Sequence, residues 1–527
     1  MKLTGNPFVD TGLMTITALA GAEKLEHLDF STVDRVFGDG RELAKQNLAL
    51  KCFTMVFGTN GPLTQPAYKK AGKNQEIYIS ILRQLLDVAK TEGNAGPRCD
   101  LTGIRTDLDF HAVCAKALSG AGVAVPDQKW LGRDWVPLGG SLGNDAQALP
   151  VASRPLQVSA LAVFALQYLP MGVFLFKGKL GCFQSTSEEF SQVWVANIVD
   201  QNKKRLALGD TEIIGKKGGT GWTLKTLLSC FDNVSLKPGT EAALWQFSNS
   251  GAGADCSVDE IPDSALAFIA NARTRFMSEI RGLIDGESGD SRQQLFECIR
   301  GLRDYSGLYS YKKHNGASAE FYEFYQTEIM KADMGQLNLA RKLADLMKKG
   351  EGSRRLKEIC KPEFLRSIEG KTLARKYVIA HFSVGEYDRL FPSEHHPIRT
   401  GSSAWNYLRY YLTTPQGDRR PIAEMDLVMK TTHPKIVHIA ETYRTVEPRK
   451  IKDVLDRMAR RDIGVRWLQD KFCRLAEKHE DWNLGDWDEF ACDEDGKVVT
   501  FELLFQLRLY LSNLYREVAG NTKGEAA

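Results

Sequence analysis

The hydrophobic pattern changes once along this chain, and that change constrains its fold more than any motif does. Between Val158 and Val199, apolar, aromatic and β-branched residues come in short runs flanked by glycine and polar residues, which is typical of strands. Beyond about Ile261, apolar residues recur at helical spacing almost without interruption. The sequence therefore predicts an α+β fold, in which a small sheet precedes a long helical part.

The chain divides into two predicted regions. Residues 1–370 are expected to form a mixed α/β N-terminal region, with its clearest helix at Glu76–Lys90. Within it, a stretch near 136–155 rich in glycine and proline has too few apolar residues to fill a core, and we interpret it as a loop or linker. Residues 371–527 are expected to form a mainly helical C-terminal bundle whose helices are joined by turns at prolines.

The charge balance and composition exclude several classes of protein. The 69 basic and 66 acidic side chains give a net charge of +3, too balanced for a wholly basic, histone-like protein. With 43% hydrophobic and 26% charged residues, the chain is not mainly disordered. Its ten cysteines have no regular spacing and no apolar leader precedes them, which predicts reduced thiols and a cytoplasmic location. The longest apolar run, 156–176, is interrupted by polar residues, so no membrane anchor is expected.

Short catalytic signatures are missing from the sequence. It contains neither G-x-x-x-x-G-K-[ST] nor G-x-G-x-x-G in a βαβ setting, and it has no G-x-S-x-G or H-E-x-x-H motif. His395 and His396 precede a proline and are interpreted as turn residues. We therefore expect no catalytic residues and no cofactor. An enzyme whose active site is assembled from distant residues stays open as an alternative, since such a site leaves no short motif.

Two isolated cysteines fall short of a zinc site. Cys52 and Cys99 each begin a C-x-x-C spacing, but Met55 and Thr102 stand where the second cysteine would be. The histidine and cysteine of the nearby segment 111–114 are three residues apart on an apolar helical face, which is more typical of a core. The sequence therefore predicts no metal site.

Lysines, glycines and one tryptophan are concentrated between Asp200 and Lys225. Two interpretations stay open for the part written GKKGGTGWTLK: a flexible hairpin without a binding role, and a loop whose backbone amides and lysines contact nucleic-acid phosphates. Trp222 fits either one, because an indole can stack on a base or fill a core.

A second concentration of positive charge lies near the C-terminus. Residues 435–478 carry twelve Lys or Arg and seven Asp or Glu, whereas 479–495 carry eight acids and no Lys or Arg. Four apolar residues between Ile451 and Met458 share one helical face, which leaves the basic residues on the others. This pattern favours a phosphate-facing surface, although charged helix faces commonly serve only solubility.

The opening residues Thr4–Gly12, TGNPFVDTG, are followed at once by an apolar helix. This segment resembles the N-terminus of the large subunit of type I CRISPR interference (Cascade) complexes, with subtypes I-A and I-B as the nearest group. Many members carry two C-x-x-C pairs, and the half-pairs at Cys52 and Cys99 look like eroded copies, a departure that argues against bound zinc. Such subunits also place a mixed region before a helical bundle that resembles the separate small subunit.

The resemblance implies a function without catalysis. The partners would be CRISPR RNA, double-stranded target DNA and the backbone, handle-binding and small subunits of the complex. This subunit would recognise the protospacer-adjacent motif, help to unwind the duplex, stabilise the R-loop and recruit a helicase-nuclease. The runner-up is a helical protein-interaction scaffold that binds no nucleic acid.

As a hypothesis, the required contacts are assigned to two groups of residues. In the first group, basic side chains would bind phosphates, glycines would let the backbone approach the duplex, and Asn202 or Trp222 would touch bases. Its members are Asn202, Lys203, Lys204, Arg205, Lys216, Lys217, Gly218, Gly219, Gly221, Trp222 and Lys225. The second group would hold the displaced strand or the guide–target duplex by its backbone. Its members are Arg449, Lys450, Lys452, Arg457, Arg460, Arg461 and Arg466.

Overall fold

A computed structural model describes most of the chain. It describes all residues except 59, 93–95, 128, 130, 140–155, 213, 216–218, 250–254, 288–293, 310–315, 352–354, 356–357, 360, 362–363, 365–366, 392–402, 414–433, 479–481, 484–485, 493–499 and 525–527. The chain forms two compact units, unit 1 at Met1–Tyr305 and unit 2 at Ser306–Ala527. In the part that is described, no helix is both long enough and apolar enough to cross a membrane.

Unit 1 combines helices with one four-stranded sheet. Its helices are α1 (Pro7–Ala20), α2 (Phe30–Phe37), α3 (Arg41–Ala49), α4 (Phe53–Phe57), α5 (Pro66–Lys70), α6 (Asn74–Ala89), α7 (Phe110–Gly120), α8 (Ala160–Leu166), α9 (Leu169–Gly172), α10 (Glu188–Ala207), α11 (Gly219–Cys230), α12 (Asp263–Asp285) and α13 (Leu295–Arg300). The strands are β1 (Phe174–Phe176), β2 (Lys179–Ser185), β3 (Ala242–Ser248) and β4 (Asp255–Ile261). They pair antiparallel in the order β1-β2-β3-β4.

Aromatic side chains fix helices against this sheet. The strand register, in which Leu180 pairs with Phe247, places Phe247 and Phe183 on opposite faces. Trp194 of α10 stacks on Phe183 at a ring separation of 4.5 Å, and Phe8 of α1 packs edge-on against Phe247 at 4.7 Å. One part of the core of unit 1 therefore lies where α1 and α10 meet the strands.

The predicted α+β class is confirmed, as are the helix at Glu76–Lys90, seen as α6, and strands within Val158–Val199. One expectation there was wrong, because the run VWVANIV at 193–199 lies inside α10 rather than in a strand. The Ser187 hydroxyl accepts a hydrogen bond from the Phe190 amide at 3.3 Å and starts the helix. An apolar run of this length fits either a strand or a helix, and the Ser187 cap favours the helix.

Unit 2 consists of helices in its described part. They are α14 (Ala319–Glu328), α15 (Met334–Gly350), α16 (Ile368–His381), α17 (Val384–Leu390), α18 (Ser403–Thr413), α19 (Pro434–Glu441), α20 (Pro448–Ala459), α21 (Val465–Ala476), α22 (Trp487–Ala491) and α23 (Thr500–Gly524). Apolar residues of α19 to α23, among them Ile439, Ile451, Leu468 and Leu507, form one core. Pro434 and Pro448 begin helices, where a proline loses no hydrogen bond.

The division between the units differs from the predicted boundary at residue 370. Residues before that boundary pack within unit 2: the Tyr322 ring of α14 stacks on Tyr410 of α18 at 3.5 Å. The Lys348 ammonium of α15 donates to the Tyr411 carbonyl at 2.6 Å. The helical part thus begins to pack as a unit well before residue 371. Of the predicted linker near 136–155, residues 140–155 lie outside the described residues.

Candidate nucleic-acid interface

The first predicted group begins on a helix rather than on a loop. Asn202 lies in α10 and is 4% exposed, and its side-chain amide donates to the Met171 carbonyl at 2.7 Å. This contact ties α10 to α9 and satisfies the Asn202 amide inside the fold. The prediction that Asn202 touches base edges is therefore wrong.

The three basic residues after Asn202 differ in their surroundings. The Lys204 ammonium pairs with Asp200 one turn earlier at 2.6 Å. The Arg205 guanidinium contacts Asp210 with two nitrogens, at 3.0 and 2.7 Å. Lys203 is exposed and forms no ion pair with any described residue. Of these three cations, Lys203 alone keeps its charge uncompensated.

The glycines further along belong in part to a helix. Lys216, Lys217 and Gly218 lie outside the described residues. Gly219 is the first residue of α11. Gly221 is buried against α12, where an added Cβ would lie 2.6 Å from the Ile284 Cγ2 atom. The glycine at 221 permits close helix packing, so its predicted role in approaching DNA is wrong.

Trp222 and Lys225 follow on α11. Trp222 is half-buried, with its ring 5.4 Å from Phe174 and 6.3 Å from Trp194. Of the two interpretations of this residue, the core position is the one observed. Lys225 is exposed and pairs with Asp285 of α12 at 2.7 Å. Both a flexible hairpin and a phosphate loop are wrong for the segment from Gly219 to Lys225, because it is helical.

The second predicted group lies on amphipathic helices, as expected. Ile451 and Met458 of α20 are buried, and Val454 and Leu455 pack against the same core. This apolar face points inward and leaves the charged residues of α20 outside. The prediction that these four apolar residues share one face of the helix is confirmed.

Seven exposed cations on α20, on the turn after it and at the start of α21 form what we call the basic surface. They are Arg449, Lys450, Lys452, Arg457, Arg460, Arg461 and Arg466. Arg457 is 3.9 Å from Asp453 and Arg460 is 3.2 Å from Asp462, which are exposed pairs of small energetic value. The other five form no ion pair within the described residues, so this surface carries uncompensated positive charge.

The N-terminal segment behind the family resemblance has a complete structural explanation. The Thr4 amide and hydroxyl donate to one oxygen of Asp10 at 2.7 Å each, and the Gly5 amide donates to the other at 3.0 Å. The Asn6 side chain caps α1 by accepting from the amides of Phe8 and Val9, at 3.1 and 3.2 Å. Burial raises the pKa of Asp10, and the hydrogen bonds that Asp10 accepts from Thr4 and Gly5 lower it in part.

Gly12 completes this segment. A Cβ at this position would lie 2.2 Å from the Ala165 carbonyl oxygen, so only glycine lets α1 approach α8 so closely. The conformation of TGNPFVDTG is thus fixed by capping and helix packing. This segment therefore explains how α1 is capped and packed, and it gives no evidence for a reaction.

The two half-pairs of cysteine are separate buried thiols. The Cys52 thiol donates to the Pro170 carbonyl at 3.3 Å, and burial raises its pKa to about 12. The Cys99 sulfur accepts from the Leu101 amide at 3.4 Å. Among the described residues, no group of three or more His, Cys, Asp or Glu side chains is placed to hold a metal ion.

Three arginines of unit 2 are distinguished only by their packing. Arg375 of α16, Arg409 of α18 and Arg508 of α23 are half-buried, and the Nε of each is shielded from solvent without a hydrogen-bond acceptor in the described structure. Their positions within helical patterns gave no signal, because only the packed structure shows which arginines lack a carboxylate.

Comparisons of the chain with protein-family models, with curated proteins and with solved structures found no match.

Proposed function

We propose that this chain is the non-catalytic large subunit of a CRISPR RNA-guided DNA surveillance complex in the cytoplasm. The single observation that carries nucleic-acid binding is the basic surface, where five of seven exposed cations have no carboxylate partner among the described residues. The family assignment is supported by the TGNPFVDTG segment and by the order of a mixed unit followed by a helical one.

The basic surface suits the nucleic-acid backbone rather than base edges. Its arginines and lysines are spread along an exposed helix, and such side chains bind phosphates without reading sequence. In the proposed complex they hold the displaced strand or the guide–target duplex. Recognition of the protospacer-adjacent motif is assigned to unit 1, near Lys203 and the segment of Lys216, Lys217 and Gly218.

The proposed partners follow from this role. They are CRISPR RNA, double-stranded target DNA, the backbone, handle-binding and small subunits, and a recruited helicase-nuclease. Target specificity then comes from base pairing with the guide, and cleavage belongs to the nuclease.

A helical protein-interaction scaffold is the second candidate. The ion pairs of Lys204, Arg205 and Lys225 favour it, because these cations are neutralised locally, as on an ordinary charged helix face. On that reading the basic surface serves solubility alone.

Purification from the native host together with bound partners separates the two. We expect a discrete RNA of uniform length that is lost, along with the partner subunits, at high salt. A lone chain that is free of RNA at low and at high salt would contradict the proposal and leave the scaffold.

A further inference from the structure

The two edges of the sheet in unit 1 differ in how they are covered. At the β1 edge, the Leu175 amide donates to the Ile214 carbonyl at 2.6 Å, and Gly215 follows at a position where any Cβ would collide with the Leu175 carbonyl. The chain at 214–215 therefore covers this edge. At β4, the described residues form no backbone hydrogen bond on the side that faces away from β3. We call this side of β4 the open edge.

One hydrogen bond shows which residues of β4 turn their main chain toward the open edge. The Arg300 guanidinium of α13 donates to the Glu260 carbonyl oxygen at 3.3 Å, so this carbonyl points away from β3. In an antiparallel ladder, the amide and carbonyl of one residue point to the same side, and the side alternates at each residue. Val258 and Cys256 therefore also present their amides and carbonyls to the open edge, and Arg300 occupies only its Glu260 end.

β4 lacks the features by which proteins commonly protect such an edge. Its seven residues pair one to one with β3, from Ala242 opposite Ile261 to Ser248 opposite Asp255, so no bulge interrupts the pairing. It contains neither proline nor lysine, and residues 255–258 are all exposed. The backbone groups of the open edge are thus aligned to accept a further strand.

The side chains along the open edge indicate which strand would fit. Val258 is 42% exposed and lies opposite Trp245 of β3, a half-buried residue whose ring is 6.5 Å from that of Phe8 on α1. Cys256, Val258 and Glu260 alternate along the strand, so their side chains share one face of the sheet. Apolar residues opposite Val258 and Cys256 would extend the apolar surface that Trp245 begins.

Charge favours one occupant of the open edge over a second copy of this chain. β4 carries three acids and no lysine or arginine. Two of the acids are paired within unit 1, Asp255 with Lys179 at 2.5 Å and Asp259 with Lys177 at 2.7 Å. Glu260 is exposed and forms no ion pair with a described residue. A second β4 would bring three more acids and no cation, whereas a basic residue opposite Glu260 would pair with it.

We infer that the open edge of β4 binds an extended segment of a partner protein, which adds a further strand antiparallel to β4. The segment places a lysine or arginine opposite Glu260 and apolar residues opposite Val258 and Cys256. Backbone hydrogen bonds supply the affinity in this mode of binding, and alternate side chains supply the selectivity. The inference goes beyond the proposed function and applies equally to the scaffold, because it concerns a protein segment and does not involve the basic surface.

A peptide Lys-Thr-Val-Thr-Val, blocked at both ends and added to the full chain, tests the inference. In the antiparallel register its lysine lies opposite Glu260, and its two valines lie opposite Val258 and Cys256. The Cys256 thiol is exposed, so its rate of alkylation by iodoacetamide, followed by mass spectrometry, reports occupancy of the open edge itself. Saturating peptide should slow the alkylation of Cys256 severalfold and leave that of Cys473 and Cys492 unchanged.

Two methylated forms of the peptide test strand pairing directly. The valine amides face β4 in this register and the threonine amides face away, because opposite residues of an antiparallel pair direct their main chains in matching fashion. A peptide N-methylated at both valines should bind about tenfold more weakly, since it loses two backbone hydrogen bonds. A peptide N-methylated at both threonines should bind like the parent. Equal binding of the two methylated forms would overturn the inference.

Variants of the chain test the same edge and its charge. V258P removes an outward amide but no hydrogen bond to β3, so it should fold and bind the peptide about tenfold more weakly. V258T keeps the amide and should bind like the natural chain. E260Q should weaken binding about threefold, as expected for one exposed ion pair, whereas E189Q removes an exposed acid of α10 and should have no effect. If V258P fails to fold, the methylated peptides still decide.

Three other outcomes would overturn the inference. The first is that the peptide does not protect Cys256. The second is that Cys256 becomes protected as the concentration of the chain alone rises, together with a dimer that V258P abolishes in analytical ultracentrifugation, which would assign the open edge to a second copy. The third is protection by an oligonucleotide and not by the peptide. The proposed function is judged separately, by the RNA that co-purifies with the chain.

Discussion

The glycine–lysine segment of unit 1 and the basic surface of unit 2 are both rich in lysine or arginine, but their cations have different surroundings. In unit 1, Lys204, Arg205 and Lys225 each pair with a carboxylate, and Trp222 packs against core rings. In unit 2, five exposed cations have no partner within the described residues. A count of basic residues therefore does not show which cations are left without a carboxylate partner; the arrangement of nearby acids does.

The largest expected effect tests the core position of Trp222. Trp222→Ala should lower the free energy of unfolding by about 3 kcal/mol, because its half-buried ring packs on Phe174 and Trp194. Urea denaturation followed by circular dichroism measures the change, with Trp222→Phe as the conservative control. If the Trp222→Ala variant is stable and loses only DNA binding, Trp222 contacts DNA. The proposed difference between the glycine–lysine segment and the basic surface would then be wrong.

The next effect concerns the basic surface. Replacing Arg449, Lys452 and Arg466 with glutamine should weaken duplex DNA binding about tenfold or more and reduce the log–log salt slope by about 2.7, since each lost phosphate contact on a duplex contributes about 0.9. Stability should stay unchanged because these side chains are exposed. Electrophoretic mobility shifts over a salt series provide the measurement.

Two comparisons accompany this triple variant. Replacing Lys204, Arg205 and Lys225 with glutamine removes the same charge from paired positions and should leave binding nearly unaltered. The loss at the basic surface should also be uniform across target sequences. A loss restricted to certain protospacer-adjacent motifs would mean that these residues read bases.

A smaller effect is expected at Gly221. In Gly221→Ala the new methyl group would lie 2.6 Å from the Ile284 side chain and force α11 and α12 to shift. Overpacking costs about 1–3 kcal/mol, and the better helix propensity of alanine returns about 1 kcal/mol, so a net loss of about 1 kcal/mol is expected. Urea denaturation checks this value. An increase in stability would show that the helices have room and that glycine is retained there for another reason.

The sequence predicted the periodic parts of this fold well. Apolar spacing located α6 and the inward face of α20, because a regular pattern is a local property. It failed at α10, where the apolar run alone did not distinguish a strand from a helix, and at α11, where the outcome depended on a contact distant in sequence. Ser187 starts α10 with a cap, and Gly221 is explained only by the Ile284 side chain of another helix. At α11, tertiary packing overrode the composition of the segment.

The same reasoning explains what the sequence revealed of the candidate site. Exposure on α20 follows from helical phase, so the residues of the basic surface could be selected from the pattern. Whether a cation is neutralised depends on acids such as Asp285, sixty residues from Lys225 in the chain. Arg375 and Arg508 could not be identified from the sequence for the same reason. What distinguishes them is that neither forms an ion pair with a described residue, and only the folded structure shows this.

The smallest effect provides the closest comparison, since Lys203 and Lys204 are adjacent on α10 and both are exposed. Lys204→Gln removes a cation that Asp200 already neutralises, so duplex DNA binding should not change. Lys203→Gln removes an uncompensated charge and should weaken binding about twofold and lower the salt slope by no more than about 0.9, the contribution of one phosphate contact. Parallel titrations of the two variants under identical salt conditions measure this difference. If both bind like the natural chain, the C-terminal end of α10 is outside the interface, and DNA binding by the described residues of unit 1 would have no remaining support among the predicted cations.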